Sequence, residues 1–216
     1  MSSLTRKVLG AGAAVAALAG TAVVAGGPLG GASETVALFE LTPTAPFLAC
    51  MQEEEGVTPT ALVRVSRRGD NDSMTILLRD FKPGLDVDLF TIENSPLDAY
   101  GQPDPDFDGF GLAWYQTDIS VGESGNGVAR INTVLLDEIF GLDDTAGLEP
   151  TNTFHVGFWF NDPADAAACG FEGSTPFNGE QEAGPLAAVS LPDAATDLGP
   201  LCLSPEADGD GFRCDP

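Results

Sequence analysis

Basic residues are scarce in this chain: 9 lysines and arginines stand against 33 aspartates and glutamates, and lysine occurs only at Lys7 and Lys82. A formal charge of −24 with no basic patch repels phosphate backbones, which excludes nucleic acid as a partner and disfavours anionic membrane surfaces. The same acid excess is what a saline habitat or a GC-rich genome produces. There is one histidine, His155, and no G-x-S-x-G elbow, H-E-x-x-H pair, Walker loop or dinucleotide fingerprint, so the common hydrolase, metalloprotease and nucleotide chemistries lack their residues. No C-x-x-C occurs, which removes the usual zinc and thioredoxin-like motifs. Past the first thirty-odd residues no stretch is long and apolar enough to span a bilayer, so no membrane insertion of the mature chain is expected.

The beginning of the chain carries the clearest address. Arg6 and Lys7 precede an apolar run from Val8 to about Ala25, and small residues follow, with Gly30-Gly31-Ala32 as a cleavage site and Val23-Val24-Ala25 as a rival. Positive start, apolar middle and small-residue exit read as a secretory signal peptide over 1–32; a retained anchor is the alternative, although the Gly and Ala content makes a weakly apolar span. Cleavage near Ala32 makes the mature protein secreted, and without Arg6 and Lys7 its charge of −24 becomes −26. Cys50, Cys169, Cys202 and Cys214 remain, an even number that favours disulfides in an exported protein and allows three pairings. The short separation of Cys202 and Cys214 suits a local loop, which leaves Cys50 to meet Cys169. Such a long-loop closure is worth about 4–5 kcal/mol on the chain-entropy model.

Between signal and tail, apolar segments alternate with Gly, Pro, Asp and Asn. Strands are expected over 36–41, 61–67, 73–79, 87–92, 110–116, 128–134, 153–160 and 186–191, with hairpin chemistry at Gly69-Asp70-Asn71-Asp72. Helix is expected only over 134–140 and 163–168, the latter with Asp162 as N-cap and Pro163 at the first helical position. About eight strands with one or two short helices give an all-β fold, a β-sandwich over 33–204, with 205–216 as an acidic tail. A jelly roll or barrel is the alternative closure of the same strands.

Phe81-Lys82-Pro83-Gly84-Leu85-Asp86-Val87-Asp88-Leu89 resembles the inter-sheet corner of fibronectin type III and immunoglobulin-like domains, with Val87 where that family has its corner tyrosine. The resemblance implies a turn at Pro83-Gly84 with Val87 and Leu89 pointing inward. The stretches Phe110–Asp118, His155–Ala166 and Thr175–Gln181 resemble segments of uncharacterised secreted proteins of high-GC Gram-positive bacteria, a resemblance that implies export and carries no activity. Glu206 to Asp215 resembles the acidic, cysteine-anchored calcium repeats of thrombospondin type 3 and Excalibur domains, which implies Asp208, Asp210 and Asp215 as ligands with Cys214 pinning the loop.

Two further sets of candidate residues come from the residues themselves. Asp104, Asp106 and Asp108, followed by Gly109, form the D-x-D-x-D-G half of a calcium loop; the position where an EF-hand needs its closing Glu is Tyr115, so a remote carboxylate would have to complete it. Trp114, Tyr115 and Trp159 are candidates for a sugar-binding platform, with core packing as the alternative, since adjacent aromatics on a strand fall on opposite faces. The expected function is a secreted, non-catalytic binding or structural module, with structural calcium as its one cofactor and an extracellular protein or glycan as partner. A carbohydrate-binding module and a secreted carboxylate-dependent hydrolase are the alternatives.

Overall fold

The computed structural model describes residues 35–68, 71–132, 134, 142–143, 153–177 and 182–202. The expected signal peptide at 1–32, the expected acidic tail with Asp208, Asp210, Asp215 and Cys214, and nearly all of the helix expected at 134–140 lie outside the described residues.

Antiparallel strands dominate. Eight have five or more residues: β1 (Thr35–Pro43), β2 (Thr60–Arg68), β3 (Asn71–Arg79), β4 (Asp86–Ile92), β5 (Leu112–Ser120), β6 (Gly127–Ile131), β8 (Thr153–Phe160) and β9 (Leu186–Ser190). Two are two-residue pieces, β7 (Leu142–Asp143) and β10 (Leu201–Cys202). They form one sheet in the order β6-β3-β2-β1-β9-β8-β4-β5-β7, with β10 beside β8. β1 joins the two halves: Leu41 is opposite both Ala61 of β2 and Ser190 of β9. The sheet curls until β5 and β6 approach each other and it is nearly closed. Gly127 permits that approach, since a Cβ there would lie 3.1 Å from the Ser120 carbonyl oxygen and 3.2 Å from Ile119.

The inner face holds the main core. Alternation in β2 and β3 sends Ala61, Val63, Val65, Met74, Ile76 and Leu78 inward, where they meet Val87 and Leu89 of β4, Trp114 of β5 and Phe154, Val156, Phe158 and Phe160 of β8. Val87 and Leu89 are fully buried, as the corner resemblance implies, and Gly84 takes φ +81° in the turn before them. A second core lies on the outer face of β4, β8 and β9, built from Phe90, Ile92, Trp159, Leu186 and Val189 and roofed by Leu97, Phe177 and Ala183 from two long loops. The roof rings pack closely: Trp159 stacks on Phe177 at 4.0 Å, and Phe110 meets both edge-on at 5.2 Å.

Several expectations need adjustment. β5 starts at Leu112 and runs on to Ser120, because Gly111 takes φ +66° and Phe110 belongs to the loop, its carbonyl accepting from the Asn94 amide. A helical segment not expected from the sequence occupies 45–51, a 3-10 turn (Ala45–Phe47) running into one α turn (Leu48–Met51). Pro163–Cys169 is helical as expected but of 3-10 type; the Asp162 carboxylate accepts from the Ala164 amide at 2.8 Å, and Gly170 ends it in the left-handed region. The Cys50–Cys169 disulfide ties these two helical segments together across 119 residues of chain.

Candidate functional site

Each strand pair places the candidate residues at a different depth. Trp114 lies on the inner face against Phe154, with ring centroids 5.3 Å apart, and Trp159 lies beneath Phe177. Both indoles are buried, at 3% and 1% exposure; Tyr115, at 44%, is the one member of the proposed platform that faces solvent. Alternation accounts for Trp114 inward and Tyr115 outward, but Trp159, on the outer face of β8, is covered by a loop that periodicity does not reveal.

Asp104, Asp106 and Asp108 sit in the loop between β4 and β5. Asp104 Oδ1 accepts from the Asp106 amide at 2.9 Å, and the Gly109 carbonyl accepts from Asn94 Nδ2 at 3.2 Å. These bonds shape the loop through its own polar groups. Among the described residues, no three or more His, Cys, Asp or Glu side chains converge as a metal-binding group.

His155 lies on the outer face of β8 at 3% exposure. Its Nδ1 is 2.9 Å from the Ser190 carbonyl oxygen and 3.2 Å from Ser190 Oγ, which also accepts from the Val156 amide. A carbonyl accepts only, so Nδ1 carries the hydrogen and donates it. Burial holds the imidazole down at about 4, against the smaller upward pull of that carbonyl, so the ring is neutral at physiological pH. A histidine whose Nδ1–H is bound to the backbone beside a buried serine that itself accepts from backbone cannot act as base toward that serine through the same nitrogen. It is a structural pin between β8 and β9.

The most organised polar group is one that motif reading missed. Asp88 of β4 stands directly opposite Asp118 of β5, with Trp159 of β8 on its other side. Asp88 is only 1% exposed; Asn161, just past β8, donates from Nδ2 to its Oδ1 at 2.8 Å, while its Oδ2 is sealed from solvent with no hydrogen-bond donor among the described residues. Tyr115 donates its hydroxyl to Asp118 Oδ1 at 2.8 Å. Burial pushes the Asp88 carboxyl up to about 7, Asn161 opposes the rise, and Asp118 and then Asp86 add to it. Tyr115 is likewise raised well above the usual phenol range, by burial and then by Asp118. Nearby, Asp165 is raised by burial although Lys82, 4.0 Å away, pulls it down. Alternation sets Asp88 on the face opposite inward Val87 and Leu89, where an Asp reads as solvated. Recognising it required knowing that the outer face is covered.

A glycosidase pair flanks its substrate with carboxyls about 5–9 Å apart. Asp88 and Asp118 instead face each other across the β4–β5 register, and Asp88 is buried away from any substrate. No protein-family model, no curated protein and no solved structure matches the chain.

Proposed function

We propose that this chain is an exported, non-catalytic binding or structural module of the cell exterior, with its strands in an immunoglobulin- or fibronectin-like sandwich arrangement. The observation that carries the reading is the commitment of its chemistry-bearing side chains to structure. The sole imidazole pins β8 to β9 in its neutral form, and Cys50 and Cys169 are oxidised to each other. A disulfide between two helical segments suits an oxidising compartment, and the Arg6-Lys7 start with its apolar run supplies the route there. The two halves of the nearly closed sheet face each other across one inner core, an arrangement that a sandwich shares with the barrel alternative. Structural calcium remains a proposal for the Asp-rich segments, at the weak affinities usual of extracellular modules.

The sugar-platform alternative loses its two indoles to the cores and draws on no specific observation. Fractionation of cells producing the full chain tests the main reading. It requires a shortened protein in the medium or at the surface, with no thiol at Cys50 or Cys169 titratable before reduction. Full-length protein retained inside with both thiols free overturns it.

A further inference from the structure

We propose that Asp88 and Asp118 share a single proton across the β4–β5 register and so form a carboxyl latch, closed at acid pH and released when that proton is lost. Two like charges directly opposite on neighbouring strands destabilise a sheet. This pair is worse placed than most, because Asp88 lies almost wholly out of water and charge there is poorly solvated. Its Oδ1 is already bound by Asn161 Nδ2, so the unmet atom is Oδ2, sealed from solvent on a side chain whose strand partner is Asp118. A hydrogen on Oδ2 donating to the Asp118 carboxylate satisfies both groups at once and removes one of the two charges. A proton is the one positive charge that enters that sealed position without moving either strand.

The surroundings set the direction of the switch. Among the described residues, the charged groups acting on Asp88 are Asp118 from β5 and Asp86 from β4, both acidic; β8 faces it with Trp159, and the segment after β8 with the neutral Asn161. Tyr115 of β5 stays a protonated donor to Asp118 throughout, since its own ionisation is pushed upward. Lys82 is engaged with Asp165. With the Asp88 carboxyl raised to about 7, loss of the proton falls near neutrality. It leaves two carboxylates facing each other, which drives Asp118, and with it Tyr115, away from the sheet.

Carbon-detected carboxyl NMR titration of the intact mature protein tests the latch. Asp88 should titrate near neutrality, and the resonance of the neighbouring Asp118 carboxyl carbon should move with the same midpoint as its partner ionises. Asp118→Asn replaces the acid with an amide donor at an exposed position and should lower the Asp88 midpoint by roughly one unit or more; Asp118→Ser repeats the test with a different side chain. An Asp88 midpoint in the ordinary carboxylate range overturns the proposal. So does a raised midpoint that both Asp118 variants leave in place, which would mean burial alone holds the proton. A midpoint lowered by millimolar Ca²⁺ and restored by chelator also overturns it, by putting a cation where the proton was assigned.

Discussion

The two halves of the sheet are built from the same kind of strand but differ in how many faces they bury. β2 and β3 alternate, with Val63, Val65, Met74 and Ile76 inward and exposed Arg64 outward, and the sequence ALVRVSRR shows that period directly. β8 and β9 are buried along their whole length, and β4 everywhere except Asp86. TFHVGFWF accordingly reads as a continuous apolar run with no polar face. Where one face meets water, a strand's polar residues are ordinary surface. Where both faces are covered, each polar residue is a committed structural element. His155, Ser190, Asp88 and Thr91 are all buried on the second half, against Ser66 of β2 on the first, so buried polar side chains are concentrated there.

The largest effect expected from this difference comes from two aromatic truncations on the doubly covered half. Phe158 of β8 faces the main core, against Phe81 at 5.9 Å, and Phe158→Ala should cost about 3–5 kcal/mol in denaturant unfolding. Phe177→Ala removes a roof ring from the second core and should cost less globally. Its hydrogen exchange should accelerate in 93–111 and 171–177 while β2 and β3 stay protected. Equal losses of global stability with no local exchange signature would show that the two cores unfold as one unit.

How much of this was legible in the sequence divides the strands from what covers them. Strands on both halves were read almost to their ends, β8 at both, because runs of apolar residues bounded by turn residues record a strand whether one face or two are covered. The turn at Pro83-Gly84 with buried Val87 and Leu89, the Asp162 cap and the Cys50–Cys169 pairing came from short stretches or from counting, and they stand. The outer roof was not readable. Phe110, Trp159 and Phe177 come from three separate stretches, and nothing local says that they meet. Asp88 was invisible for the same reason: an Asp in a strand reads as a solvated position until its cover is known. Gly111 decided where β5 begins through a backbone angle that composition does not encode.

Two buried titratable groups on this half should give opposite pH slopes. His155 titrates at about 4 folded against a usual 6.5, so only the unfolded chain takes up a proton between those values. Its contribution is intact above 6.5 and about 3 kcal/mol is lost as pH falls to 4. His155→Gln should therefore lie closer to the native protein in stability at pH 4.5 than at pH 7.5, as measured by urea midpoints at the two pH values.

Asp88 works the other way and more weakly. Its folded value of about 7 exceeds the ordinary 3.8, so the folded chain holds the extra proton; the contribution is fully present below about 4 and is lost as pH rises through 7. Asp88→Asn should be near neutral in effect at pH 4.5 and stabilising at pH 8 by about 2 kcal/mol, a linkage figure discounted for screening at exposed Asp118. Between 4 and 6.5 the two slopes oppose each other, so each variant should unmask the slope of the other residue. An Asp88→Asn difference curve that is flat from pH 4.5 to 8 would show that the proton is not held.

The smallest effect expected is at the edge of this half, where Asp162 caps the Pro163–Cys169 turn that carries one end of the disulfide. Its carboxylate satisfies the Ala164 amide, and its removal leaves that donor to water at a helix start. Asp162→Ala should cost about 1 kcal/mol. Asp162→Asn keeps the acceptor without the charge and should recover most of it, since Asn caps as well as Asp. Because the turn is covalently tied to Leu48–Met51, the loss should grow when Cys50 and Cys169 are reduced, as fraying then spreads without the crosslink. A cost that is the same with the disulfide open or closed would show that the cap stabilises only its own turn and that the Cys50–Cys169 bond holds the corner unaided.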